Sequence, residues 1–147
     1  RNRNGWVKVG LLGTKGITTA GKSNRDGIGA VVHFTPKNGQ PQLFPVLGGS
    51  GAASQMSLIQ SFGLGRNADR GMVEVMWPGG VRNRLYDVRN GEQVTIPEIG
   101  CNFATASSKS SYLACVDGAL SQLNGKISRD LSARLRDSAK EAYEDTH

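Results

Sequence analysis

Residues 61–80 read SFGLGRNADRGMVEVMWPGG, and the way this stretch divides decides the fold. Phe62, Gly63, Leu64 and Gly65 alternate apolar side chains with glycines, which predicts a close backbone approach or a positive φ at the glycines. Residues 66–71 are polar and contain Asn67 and Asp69, a loop signal. The run Met72, Val73, Glu74, Val75, Met76, Trp77 then predicts a strand. Val73, Val75 and Trp77 share one face of it, so Trp77 is read as a core residue. Pro78, Gly79 and Gly80 stop the strand and turn the chain, and residues 81–86 return as its hairpin partner.

Outward from this hairpin the same pattern recurs. Residues 6–12 predict a first strand with Lys8 on its wet face. Residues 28–35 predict a second strand, 36–39 a turn and 42–47 a partner strand that Pro45 confines to an edge or a bulge. Residues 87–92 form an Asn-Gly turn before a last strand at 93–96. The expectation is a mainly β fold, a small β-sandwich or barrel of about six strands. From Cys101 the spacing turns helical. Tyr112, Val116, Leu120 and Leu123 mark one helix, ended by Asn124-Gly125. Ile127, Leu131, Leu135, Ala139 and Ala142 mark a second, with Ser128 as N-cap and Asp130–Arg134 as an i,i+4 pair. The chain therefore divides into a β domain at 1–100 and a helical hairpin at 101–147. The hairpin either docks on the β body or presents its stripe to another chain. Its dilution with alanine leads us to expect a role in assembly more than in folding.

The chain has 147 residues, 20 of them glycine, and a net charge of +6. No apolar run approaches the roughly 18 residues of a membrane span. It begins at Arg1 without a methionine or a signal-peptide pattern, which suggests a processed or excised piece. All the excess charge lies in residues 1–40, where seven Lys/Arg face the single acid Asp26. Lys8, Lys15, Lys22 and Lys37 are scattered between glycines and threonines, without the aromatics or Arg-rich helix of a nucleic-acid binder. An acidic neighbouring domain or an acidic glycan suits this end better.

A search for chemistry finds little. Ser50, His33 and Asp26 invite comparison with a nucleophile elbow, but Ala52 stands where G-x-S-x-G needs its second glycine. Asn24 and Asp26, with Asn67 and Asp69, offer oxygen ligands for a weak Ca²⁺ site if their loops meet. They are too few for a cage, no D-x-D-x-D-G loop is present, and a structural turn is the preferred reading of 24–27. Cys101 and Cys115 enclose a serine-rich segment with no C-x-x-C and no neighbouring histidine, which argues against a metal site.

Three ordered motifs carry a resemblance. FGLG followed by VEVMWPGG is similar to the FGLG…V-x-V-x-W-P-x-G core of the ASPIC/UnbV domain. SNRDGIGAV at 23–31 resembles its N-R-D-G-I-G-A-x-V. Gly48, Gly49, Ser50 and Gly51 with Ser54 and Gln55 resemble its G-G-S-x-x-x-S-Q. The likeness covers roughly residues 4–98. It implies a domain that follows calcium-binding FG-GAP/VCBS repeats in secreted proteins such as the cartilage acidic protein family. On that view calcium belongs to upstream repeats and this chain needs no cofactor. Residues 16–21 look like an insertion relative to the family. In a secreted protein Cys101 and Cys115 form one disulfide, worth about 3 kcal/mol in the chain-entropy model; in a cytosolic one they would be two free thiols.

The resulting expectation is an extracellular, non-enzymatic adhesion or assembly module at the C-terminal end of a larger repeat protein. Its partners would be the preceding repeat domain, other protein subunits, an acidic glycan or a second copy, with no nucleic acid and no membrane span. The exposed candidates for contact are Ile17, Thr18 and Thr19 in the insertion, Asn24, Arg25 and Asp26 in the first motif, and Arg66, Asn67 and Arg70 in the central loop. The alternative is a structural subunit that polymerises into an extracellular fibre or surface layer.

Overall fold

The computed structural model describes residues 5–47, 59–66 and 68–147. Within them the alternating positions become seven strands: β1 (Gly5–Leu12), β2 (Val31–Pro36), β3 (Gln42–Pro45), β4 (Gln60–Gly65), β5 (Arg70–Met76), β6 (Arg82–Arg89) and β7 (Gln93–Pro97). Two helices follow, α1 (Lys109–Gln122) and α2 (Arg129–Thr146). The strands form a three-stranded sheet in the order β4-β1-β7 and a four-stranded sheet in the order β3-β2-β5-β6. The two sheets face each other as a sandwich. Val7, Val9, Phe62, Leu64, Val94 and Ile96 of the small sheet meet Val32, Phe34, Val73, Val75 and Leu85 of the large one, all buried. The rings of Phe34 and Phe62 lie 5.6 Å apart across the interface.

The central stretch behaves as its alternation requires. Val73, Val75 and Trp77 are buried, while Met72 and Glu74 are half-buried and Met76 is exposed. The Trp77 indole donates to Asn83 Oδ1 at 2.7 Å, and the same oxygen accepts from the Ile99 backbone N–H at 2.9 Å. The 24–27 turn lies on this tryptophan. Gly27 has φ +71° and a Cβ there would come within 2.9 Å of Leu11 and 3.3 Å of Trp77. Two family motifs far apart in sequence are thus packed against each other.

Four expectations change. The FGLG stretch is itself a strand, β4, which brings the number of strands to seven. Its Gly63 is approached closely at the backbone, the Gln42 side-chain amide donating to its carbonyl at 2.6 Å and accepting from its N–H at 3.3 Å, while Gly65 takes a left-handed φ of +78°. The second strand begins at Val31 and not at Ile28, because Gly27 and Gly29 take positive φ. Asp87 belongs to β6, at φ 57°, in an irregularity opposite Gly71–Val73, and the turn is confined to Asn90-Gly91. Finally, Asp130 and Arg134 do not pair: Arg134 reaches Glu92 at 2.9 Å instead, since a bond to the β body fixes the helix where an exposed intrahelical pair would not.

Pro45 sits on edge strand β3, as its missing N–H demands. The other edge of the large sheet, β6, is covered by the helices. Tyr86 N–H donates to Ser138 Oγ of α2 at 3.0 Å, and Asn83 holds the Ile99 backbone on both sides. Covering an edge removes a template for unwanted pairing. Ser108 and Ser128 cap the two helices. Tyr112, Val116, Leu123 and Leu135 join the same continuous core as the sheets.

Candidate functional site

At one end of the small sheet a cleft of about 530 Å³ opens between β7, the 24–27 turn and the start of α2. Among the described residues β7 is an edge strand, paired with β1 and parallel to it. Lys8 N–H donates to Glu92 O and Glu98 N–H to Leu12 O, so the even-numbered backbone groups of this stretch turn toward β1. By alternation, the N–H and C=O of Gln93 and Thr95 point away, along the cleft. Leu11, Ile127 and Leu131 supply its apolar lining, and Arg25, Asp26 and Lys126 its charge. Among the described residues Arg25 and Lys126 make no ion pair. Such a cleft can add an extended segment to a strand edge and hold its acidic groups at the basic rim.

The structure distributes the sequence-derived candidates unevenly. Asn24 is spent locally, its Oδ1 accepting from Ile28 N–H at 3.1 Å, which is a turn. Arg25 and Asp26 line the cleft. Arg66 is exposed, whereas Arg70 is half-buried and pairs with Asp87 at 3.3 Å. Asn67 and the motif residues Gly48, Gly49, Ser50, Gly51, Ser54 and Gln55 lie outside the described residues. The paired loops imagined for calcium do not meet. Asp26 lies beside Leu11 and Leu12, while the Asp69 carbonyl accepts from Asn90, whose side chain holds Trp6. The length of β1 separates them, on the order of 20 Å. Among the described residues no three His, Cys, Asp or Glu side chains converge.

The insertion is also less free than its composition suggested. Thr18 is buried and bonded to Thr14, so it is not an exposed contact residue. Ile17 packs against the core. Thr19 is exposed but exchanges two hydrogen bonds with the Gln122 amide of α1. Behind this loop lies a residue that sequence reasoning passed over. Glu98 is 2 % exposed, and its carboxylate accepts from the backbone N–H groups of Thr14, Lys22 and Ser23 and from the hydroxyls of Thr14 and Ser23. Burial alone would raise its pKa; the bonds from Ser23, Thr14 and Lys22 outweigh that, and it lies below the ordinary carboxylate value. No local signal marks Glu98, because its partners come from the opposite end of the chain.

Cys101 and Cys115 are bonded to each other, with Cα atoms 6.0 Å apart. The bond ties the exit of the β body to α1, on the helix face that meets the insertion.

A family model described as ASPIC and UnbV matches residues 19–102, more than half of the chain. The match takes in the 24–27 turn, β4 and the Trp77 hairpin, and it ends beside Cys101. No curated protein and no solved structure matches the chain.

Proposed function

Because this chain belongs to the ASPIC and UnbV family, we propose that it is an extracellular, non-enzymatic adhesion or assembly module of a larger FG-GAP repeat protein. The family is typically found with FG-GAP repeats and is associated with secreted proteins, and no described helix is long and apolar enough to cross a membrane. Calcium, on this reading, is held by the repeats. The observation that carries the reading is the cleft along β7, an edge strand among the described residues, with Arg25 and Lys126 outnumbering the single acid Asp26 in its lining. It suits an extended acidic segment, from the repeat region or from a second protein. Backbone bonds would supply affinity and the rim would supply the charge preference.

The test is fluorescence anisotropy with extended decapeptides graded from basic to acidic. Acidic peptides should bind best, and the double variant Arg25→Glu, Lys126→Glu should weaken them by about tenfold, or roughly 1.4 kcal/mol. Both residues are exposed, so the fold should survive. Binding without charge preference, or none at all, would sink the reading. Polymerisation into a fibre is the second reading, favoured by β3 and β7 being edge strands among the described residues. Regular filaments of this chain in negative-stain images would support it.

A further inference from the structure

The small sheet has two faces, and only one of them belongs to the core. On the other, the register sets Gly63 opposite Trp6, Ser61 and Gln93 on either side of Lys8, and Thr95 beside Gly10. Trp6 is 42 % exposed, and Ser61, Gly63, Gln93 and Thr95 are exposed. The Lys8 ammonium lies over the Trp6 ring, 5.0 Å from its centre, so one side of the indole is shared with this cation.

Gly63 is the residue that needs explaining. Its φ is not left-handed, and a Cβ added to it would meet nothing within 4 Å. The Gln42 amide bonds the Gly63 N–H and C=O along the strand edge, but nothing excludes a Cβ on the open face, although glycine inside a strand is disfavoured relative to alanine. Gly10 is similar: a Cβ would make only ordinary contacts, at 3.4 Å to Ile59 and 3.6 Å to Thr95. What Gly63 does achieve is an open floor beside an exposed indole, whereas Gly10 is buried beside Ile59 and Thr95. Among the described residues paired across this face are short hydroxyls, an amide and one cation.

A partner protein would look for a larger apolar centre than the separated side chains of Trp6 and Ile59, each about two-fifths exposed. A sugar ring matches better. Its C–H face lies against the electron-rich indole, its hydroxyls meet Ser61, Gln93 and Thr95, and a ring carboxylate complements Lys8. We propose that this face is a binding platform for a uronate-bearing oligosaccharide, with Trp6 as the stacking residue, Lys8 as the carboxylate partner and Gly63 as the open floor. This rests on the reading of the chain as an interaction module and gives it a ligand of different chemistry, held by residues outside the basic rim of the β7 cleft.

The experiment is calorimetric titration of the whole chain with hexagalacturonate and, in parallel, with neutral cellohexaose. Hexagalacturonate should bind and perturb the fluorescence of the exposed tryptophan. Trp6→Ala should abolish binding. Gly63→Val, which fills only empty space, should cut affinity at least tenfold with the melting temperature unchanged. Lys8→Gln should remove the preference for the charged sugar. Arg25→Glu with Lys126→Glu should leave sugar binding intact, which keeps this test separate from the peptide one. Full affinity in Gly63→Val, no saturable binding of hexagalacturonate, or equal binding of cellohexaose by the wild-type chain would each overturn the proposal.

Discussion

Replacing Glu98 by glutamine tests the least visible joint of the molecule. The side chain keeps its shape and one acceptor oxygen for the N–H groups of Thr14, Lys22 and Ser23. It loses the charge that strengthens these bonds, and its amide must turn a donor toward Ser23 Oγ, which now donates to the carboxylate at 3.0 Å. Hydrogen bonds to charged groups contribute about 1.5–3 kcal/mol, against about 0.5–1.5 for neutral ones. Weakening several together predicts a loss of about 2–3 kcal/mol for Glu98→Gln. Alanine would strand the donors altogether, at about 3–5 kcal/mol after the loop relaxes. In a chain of this size the glutamine variant should melt lower by on the order of 10 °C. The pH dependence adds a second readout. The folded pKa of Glu98 is depressed, so its contribution is complete above the unfolded value of about 4.3 and is lost as pH falls through the folded one. Urea melts at neutral pH and at descending acid pH should show the gap between wild type and Glu98→Gln closing only in acid. A neutral-pH difference below about 0.5 kcal/mol, or a gap that persists unchanged into strong acid, would refute the reasoning.

Three further outcomes follow from the geometry. Trp77→Ala, which empties a buried ring site and removes one of the two donors to Asn83 Oδ1, should cost about 3–5 kcal/mol in chemical denaturation; an unchanged midpoint would mean that Trp77 is not part of the core. Truncation after Gly100 removes Val116, Leu123 and Leu135 from the continuous core and uncovers β6, so the remaining chain should lose cooperative melting. A folded, monomeric truncation would instead favour the assembly role expected for the tail. Calcium titrated into this chain alone should give no micromolar binding by calorimetry, because Asp26 and Asp69 sit at opposite ends of β1.

By itself the sequence determined what is local or periodic. The alternation around Val73, Val75 and Trp77 specified a strand and its buried face, since side chains in a strand can only alternate. Ser128 and Asn124-Gly125 marked helix limits, because capping needs are met within a few residues. Three motifs identified the family. Contacts between residues far apart in the chain were decided only by the tertiary structure. Nothing local distinguishes Glu98 from any glutamate after a proline until the loop at 14–23 closes over it. Thr18 looked exposed by composition and is buried by the helix and loop packed around it. Arg134 had a partner one turn away and took Glu92. The open face at Trp6 and Gly63 exists only because β1 and β4 pair in one register, and the cleft exists only because β7 joins β1 in parallel. A sequence records what each residue prefers; which distant groups share a desolvated space is settled when the sheets close.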